Sequence, residues 1–405
     1  MKVKLAITAL GLLGVLVLPG CRLVRLVTLY NSTKRQVAPP ATANTIDIPF
    51  AYRQDWIMLH LVIKQAEHSL EGDFLFDSGA STSLFDSCQP LRVWIPENVA
   101  ELPVQGALGK SYRKLKIAKD ISLQAGQFSV FKPRLQVSRK PDFFPAGCLG
   151  IIGADFFRDF VLTIDFKQQI LRIRATDRFD ATDMTSLKMA TIGNSNPIVQ
   201  KVRLGDLPAL DYLVDAGNSG PILIQKSNEP DLIETMGAGL REYAFKHDRV
   251  RDASGKIIAS GYYTKTVAAI NGIQCPEYEV SGLVNVESRP KYSNMGLAFL
   301  KQVFESVSFD FSKKQFYYKI SAQRISQEKM DREVYFSQED SAFFTGPVLI
   351  QSAWYKQGLK PGMQVSHINE ESPAVYIRER KEGRSPGIRS ITISDADGKS
   401  HTIIR

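Results

Sequence analysis

The sequence is poor in the side chains that bind metals and phosphates. Its 405 residues include 4 Cys and 5 His, with no Cys-x-x-Cys pair and with the histidines scattered, so no metal site is expected. A Gly-rich phosphate-binding loop is also lacking. The net charge of +9 is spread without a long basic run, which argues against nucleic-acid binding. Chemistry that needs neither a metal nor a cofactor is therefore favoured.

Long apolar runs are confined to the N-terminus. Two lysines precede an apolar run from Leu5 to Leu18, which is short for a membrane-spanning helix and typical of a signal peptide. The string Leu18-Pro-Gly-Cys21 resembles a bacterial lipobox, in which the Cys is lipidated. This resemblance implies a lipoprotein signal peptide over 1–21 and a cell-envelope protein anchored by lipid to the outer membrane. The alternatives are a plain signal peptide with an incidental Cys and an uncleaved anchor.

Three further cysteines follow Cys21, namely Cys88, Cys148 and Cys275. An odd number in an exported chain leaves at least one free thiol or an intermolecular bridge. Cys88 and Cys148 lie in the same half of the chain and could pair.

Long helical periods are scarce as well. The segment 22–44 is polar around a Pro-Pro pair and is interpreted as a tether. From Ile46 onward, short β-prone runs alternate with turns, which is the signature of an all-β protein. The clearest of these runs are Trp56–Ile63, Gly72–Phe76, Lys114–Leu123, Gln127–Val137 and Val161–Ile173.

One short motif occurs twice. The segments 74–81 (FLFDSGAS) and 212–219 (YLVDAGNS) each contain an apolar run ending in Asp, a small residue and Gly, and Asp77 and Asp215 are 138 residues apart. A carboxylate there lies at a strand end, on a turn whose Gly allows other backbone to approach closely. One such Asp in each half is what a paired-carboxylate site across a pseudo-two-fold axis requires.

A second pair of matching segments, 150–166 and 296–311, lies downstream. Each ends in Asp-Phe, and Asp165 and Asp310 are 145 residues apart. A basic-polar turn and an apolar strand follow both segments. The matched order and spacing of two separate features indicate an internal duplication.

The duplicated set resembles the aspartic proteases of the retropepsin/pepsin type, over about residues 46–320. The resemblance implies an all-β-dominated fold with two pseudo-symmetric β-barrel lobes, 45–180 and 181–320. It also implies that Asp77 and Asp215 hold one water and share one proton while they hydrolyse peptide bonds. The expected protein is a secreted, monomeric aspartic endopeptidase that acts on peptides or proteins without a cofactor.

The residues around the two carboxylates differ between the copies. In the resembling family the hydroxyl at the position of Ser78 bonds across to the opposite lobe, and the glycines, here Gly79 and Gly217, let the backbone crowd the site. The second copy has Ala216 instead of a hydroxyl residue, and Asn218 offers an amide hydrogen bond as a partial substitute.

This degenerate second copy leaves two alternatives open. Asp215 and its neighbours also fit an ordinary strand-to-turn segment, because Asp, Gly and Asn are common turn residues. The corresponding alternative function is a catalytically inactive, peptide-binding envelope lipoprotein that retains the protease fold.

Substrate cover in this family comes from a flap hairpin after the first Asp. Gly106 and Gly109 are the candidate tip in the first lobe, and Gly261 and Tyr262 hold the corresponding place in the second. Both pairs also fit ordinary surface hairpins.

The C-terminal part differs from the duplicated halves. Residues 321–331 are mostly polar and charged and are interpreted as a linker. Within 332–405, the string from Ala353 to Asn369 (AWYKQGLKPGMQVSHIN) resembles the bacterial PDZ module. That resemblance implies binding of an extended peptide by strand addition, which would present a peptide or gate the cleft. A generic small β domain is the alternative.

Ala80 generates a prediction about pH. The resembling pepsins place at this position a hydroxyl that bonds the carboxylate, so one donor fewer should leave the pKa of the carboxylate pair higher. We expect a pH optimum nearer neutrality, measured as the pH–rate profile of peptide cleavage. A profile that peaks well below about pH 4 would contradict this expectation.

Overall fold

The computed structural model describes residues 36–37, 45–53, 55–80, 83–86, 99–106, 109–126, 128–138, 145, 147–192, 196–225, 241–244, 261–283, 293–322, 332–339, 341–381, 387–394 and 399–405. Strands dominate these residues and helices are few and short, so the predicted β-dominated fold class is confirmed. Cys21 and the rest of the predicted signal peptide lie outside the described residues. No helix in the described ranges is long and apolar enough to cross a membrane.

The first repeating unit contains strands whose apolar side chains alternate with polar ones, as in β2, where every second residue from Ile46 to Phe50 is buried. Its strands are β1 (Gln36–Val37), β2 (Thr45–Arg53), β3 (Trp56–Gln65), β4 (His68–Asp77), β5 (Leu84–Asp86), β6 (Val99–Gly106), β7 (Gly109–Ala125), β8 (Phe128–Ser138), β9 (Gly150–Gly153), β10 (Val161–Asp165) and β11 (Ile170–Arg174). Among its described residues, Ala154–Phe156 and Thr176–Arg178 form 3₁₀ helices. Strand β1 falls in the predicted tether and pairs with β8.

The second repeating unit follows the same order. Its elements are β12 (Thr185–Ile192), β13 (Asn196–Val202), β14 (Leu210–Asp215), β15 (Ile222–Gln225), β16 (Arg241–Ala244), β17 (Gly261–Ile270), β18 (Ile273–Leu283), β19 (Ser293–Gly296), α1 (Leu297–Val303), β20 (Phe304–Asp310) and β21 (Gln315–Ile320). The short helix that follows Gly153 in the first unit is a 3₁₀ helix, and the one that follows Gly296 in the second unit is an α-helix.

Strand pairing shows that the two units are copies of one plan. In the first unit β4 lies parallel to β9, β9 lies antiparallel to β5, and β5 lies parallel to β8. In the second, β14, β19, β15 and β18 repeat these pairings with the same directions. Asp77 is opposite Gly153 and Asp215 is opposite Gly296. The duplication inferred from the spacing of the motifs is therefore present in the topology.

A six-stranded sheet joins the two units, in the order β2, β11, β10, β20, β21 and β12. At its centre Thr163 faces Ser308, 145 residues later, and their hydroxyl oxygens are 2.7 Å apart. The pseudo-two-fold axis that relates the two units therefore passes through the joining sheet at this pair. Apolar side chains of both units, such as Leu162 and Phe309, belong to one continuous core.

The C-terminal unit has its own core. Its elements are β22 (Val334–Glu339), β23 (Ala342–Leu349), α2 (Ala353–Lys356), β24 (Gln364–Ile368), α3 (Pro373–Lys381), β25 (Ser390–Ser394) and β26 (Ser400–Ile404). The strands pair antiparallel in chain order from β22 to β26. Trp354, Leu359 and Ile391 are buried at the centre of this core.

The C-terminal unit shares a sheet with the second unit. Tyr243 and Ala244 of β16 pair antiparallel with Leu349 and Val348 of β23. The Tyr243 ring is fully buried and its hydroxyl donates a 2.6 Å hydrogen bond to the Arg332 carbonyl. Strand β16 therefore has one edge on β17 and the other on β23.

The Thr163–Ser308 hydroxyl pair predicts a coupled effect on stability. Ser308→Ala leaves the buried Thr163 hydroxyl without this partner, and Thr163→Val leaves the Ser308 hydroxyl only its weak 3.9 Å bond to Met184 Sδ. Each loss costs about 1–3 kcal/mol. We expect the double variant to cost less than the sum of the single variants, measured by denaturant unfolding. Thr392→Val is the matched control, because the Thr392–Thr402 hydroxyl pair is exposed, and surface changes of this kind stay within about 0.5 kcal/mol. Costs that add fully would show that the pair is not coupled.

Candidate active site

The two motif carboxylates meet between the two repeating units. Asp77 ends β4 and Asp215 ends β14, and their carboxyl groups are hydrogen-bonded to each other. A Cβ atom at Gly79 would collide with the Asp215 carboxylate, and one at Gly217 would collide with that of Asp77. Each motif glycine is thus required by the close approach of the other unit's carboxylate.

The Ser78 hydroxyl links the two units beside this pair. Its Oγ donates to the Val214 carbonyl at 2.8 Å and accepts from the Ala216 N–H at 2.9 Å. Ser78, Val214 and Ala216 are all fully buried. Ala216, the equivalent of Ser78 in the second copy, has no hydroxyl, so its side chain cannot make the matching hydrogen bond to the first unit.

A reciprocal pair of hydrogen bonds adds to the Ser78 contact. The indole Nε1 of Trp56 donates to the Gly217 carbonyl at 3.1 Å, and the amide Nδ2 of Asn196 donates to the Gly79 carbonyl at 2.6 Å. Trp56 opens β3 and Asn196 opens β13, the strands that precede the two Asp-bearing strands. Sequence reasoning missed both, because Trp and Asn share no side-chain type that would reveal their equivalence.

Asp215 receives a side-chain donor that the sequence analysis did not name. The amide Nδ2 of Asn294 donates to Asp215 Oδ2 at 2.6 Å, and the Gly217 N–H donates to Asp215 Oδ1 at 3.1 Å. Asn218 donates to Asn294 Oδ1 at 2.9 Å, so it supports the carboxylate through Asn294. A usable signal existed, since Asn294 stands where the first copy has the apolar Ile151.

Asp77 is held by backbone donors. The Ala80 N–H donates to Asp77 Oδ1 at 3.0 Å, and the Gly79 N–H also donates to this carboxyl group. The Ala80 methyl group gives no further hydrogen bond, in agreement with its identity in the sequence.

The electrostatics of the pair favour one shared proton. Both carboxyl groups keep a partly accessible surface, but the surrounding protein removes most of their hydration. Burial, the charge of Asp215 and the hydrogen bond with Asp215 raise the pKa of Asp77 well above its ordinary value. Burial also raises the pKa of Asp215, against the opposing hydrogen bonds from Asn294 and Asp77. Ionisation of one carboxyl group opposes ionisation of the other at such close approach, so the pair holds one shared proton between its two titration steps.

The two flap candidates differ in structure. Strands β6 and β7 form a hairpin in which Gly106 faces Gly109, with 107–108 outside the described residues. Gly261 and Tyr262 instead begin β17 and face Ala244 and Tyr243 of β16. The connection 245–260 is outside the described residues, so the tip of the second hairpin is not placed.

Of the three cysteines that follow Cys21, the described residues include Cys148 and Cys275. The thiol of Cys148 donates to the Gly150 carbonyl at 3.1 Å, and Cys88 lies outside the described residues. Cys275 is a partly buried free thiol whose pKa burial raises to about 11. Across the part of the chain that the structure describes, no group of three His, Cys, Asp or Glu side chains could hold a metal ion.

Comparisons with known proteins give structural matches alone. No protein-family model and no curated protein sequence matches the chain. Among solved structures the chain is similar to an aspartic proteinase from Irpex lacteus, with 13% identity, a TM-score of 0.44, and coverage of 69% of this chain and 98% of that chain. It is also similar to Basic 7S globulin from soybean, with 10% identity, a TM-score of 0.41, and coverage of 69% and 96%.

Removal of the Ser78 hydroxyl should weaken the joint between the two units. Ser78→Ala leaves the Val214 carbonyl and the Ala216 N–H without this partner, and each buried unpaired group costs about 1–3 kcal/mol. We expect a loss of roughly 2 kcal/mol or more in unfolding free energy, measured by denaturant titration. Ser366→Ala is the control, since that hydroxyl lies in the C-terminal unit and makes long bonds, 3.3 Å to the Thr392 carbonyl and 3.2 Å to His367 Nδ1. Equal effects of the two changes would refute a special role for Ser78.

Proposed function

We propose that this protein is an aspartic endopeptidase that hydrolyses peptide bonds with a water activated between Asp77 and Asp215. The observation that carries the proposal is the hydrogen-bonded carboxyl pair, with one member from each copy of a duplicated unit. The single chain supplies both carboxyl groups, so the proposed active form is a monomer.

The proposed reaction needs one ionised and one protonated carboxyl group. The water oxygen attacks the amide carbon while the ionised carboxylate takes a proton from that water. The protonated carboxyl gives its proton to the carbonyl oxygen, which produces a neutral gem-diol. The C–N bond then breaks as the nitrogen receives the proton taken from water. A gem-diol hydroxyl returns a proton to the other carboxylate, which restores the starting state.

A second candidate is a peptide-binding protein that has kept the cleft and lost the reaction. Ala216 favours it, because the second unit cannot return the hydroxyl contact that Ser78 makes. The bonds from Trp56 and Asn196 favour the enzyme, because they hold both carboxylate turns from opposite units.

The C-terminal unit is proposed to be a PDZ-like module that binds an extended peptide. In the described residues β22 pairs with β23, and we propose that an extended peptide adds as a strand along the other edge of β22. Tyr376 of α3 packs against Phe336 of β22 with ring centroids 5.5 Å apart, which sets the helix beside that strand. Lipid attachment at Cys21 would hold the protein at the cell envelope. The lipid attachment and the envelope location are proposals that rest on the sequence.

Cleavage of a mixed peptide library tests the proposed reaction. We expect Asp77→Asn and Asp215→Asn each to lower kcat/KM by at least about 100-fold, because each removes a proton-transfer group. The matched controls are Asp73→Asn and Asp211→Asn, four residues earlier on the same strands. Both should retain activity within a few-fold.

The outcomes separate the candidates. Cleavage that survives Asp215→Asn would remove this residue from the mechanism. A wild-type protein that binds library peptides saturably and cleaves none of them would establish the peptide-binding alternative.

A further inference from the structure

We propose that Asn294 is a positioning residue that places the negative charge of the carboxyl pair on Asp215 and leaves the shared proton on Asp77. The inference rests on the proposed function, because it assigns the two catalytic roles within the same site. Asp215 becomes the base that takes the proton from water, and Asp77 becomes the acid that protonates the carbonyl oxygen.

The direction of the Asn294 amide is set by a chain of hydrogen bonds. The Gly220 N–H can only donate, and it donates to Asn218 Oδ1 at 2.9 Å. The other end of the Asn218 amide is therefore its NH₂ group, which donates to Asn294 Oδ1. The NH₂ group of Asn294 then faces Asp215 Oδ2, at 2.6 Å. A backbone group thus makes Asn294 a donor toward Asp215.

A fixed donor favours the ionised carboxylate. An amide NH₂ group stabilises a carboxylate oxygen and opposes protonation of that oxygen. Asp77 has no equivalent side chain in the first copy, because Ile151 occupies the position of Asn294 and Ala80 ends in a methyl group. The charge therefore belongs on the side of the pair that has the amide donor.

The other groups around Asp215 do not change this assignment. Among the described residues, the titratable group that faces Asp215 is Asp77. The donors to Asp215 from β19 and from its own turn are all neutral, namely the Asn294 amide and the backbone N–H groups of Gly217 and Asn218. Trp56 reaches the Gly217 carbonyl and is also neutral. The difference between the two carboxyl groups comes from hydrogen bonding and not from a third charge.

Two substitutions test the assignment through opposite limbs of the pH profile. Asn294→Ala removes a donor that stabilises both the singly ionised and the doubly ionised form of the carboxyl pair. The acid limb of the kcat/KM profile should therefore move to higher pH by roughly one unit, and the basic limb should stay at the same pH. Ala80→Ser adds a hydroxyl near Asp77, and this hydroxyl stabilises only the doubly ionised form of the pair, in which Asp77 is also charged. Its basic limb should move down while its acid limb stays.

The opposite pattern would overturn the proposal. A charge located on Asp77 would make Asn294→Ala move the basic limb and Ala80→Ser move the acid limb. An unchanged profile for Asn294→Ala would also refute it.

A second measurement separates this inference from the proposed function. The carboxyl carbons of ¹³C-labelled Asp77 and Asp215 report the two titration steps by NMR, whether or not the protein cleaves peptides. An inactive protein whose first step shifts up in Asn294→Ala would refute the endopeptidase and support the charge assignment. An active protein without that shift would do the reverse.

Discussion

The two lobes depend on one buried hydroxyl. Ser78 Oγ bridges the Val214 carbonyl and the Ala216 N–H, the backbone groups on either side of Asp215. Because buried backbone groups must be paired, this contact fixes the turn of the first carboxylate against the turn of the second. The joining sheet, centred on Thr163 and Ser308, holds the same two units together along their other side.

The unequal halves are consistent with the chemistry proposed for them. A reaction that needs one acid and one base gains nothing from two identical carboxyl environments. The second copy has no hydroxyl at Ala216 and has an amide at Asn294, whereas the first has Ser78 and an apolar Ile151. The first copy thus contributes the Ser78 hydroxyl to the joint between the units, and the second copy contributes Asn294, the residue that we propose holds the charge on Asp215.

Strand periodicity in the sequence predicted the β-dominated fold. The repeated spacing of one motif predicted that Asp77 and Asp215 form a pair. They did not predict the hydrogen bonds of Trp56, Asn196 or Asn294. A side-chain donor that bonds to a carbonyl or carboxylate far along the chain produces no periodic pattern in the sequence. The pairing of β16 with β23 also escaped prediction, since an edge strand does not encode which partner will cover it. Local alternation specifies the strands, and only the assembled fold specifies these contacts.

The sheet shared by β16 and β23 has a consequence for the modularity of the protein. A chain cut after Ile320 would lose the strand that covers the outer edge of β16. It would also uncover the buried ring of Tyr243. An exposed strand edge next to an uncovered aromatic ring is a site for intermolecular strand pairing and aggregation. The C-terminal unit is thus a structural cap on the second repeating unit, at the outer edge of β16.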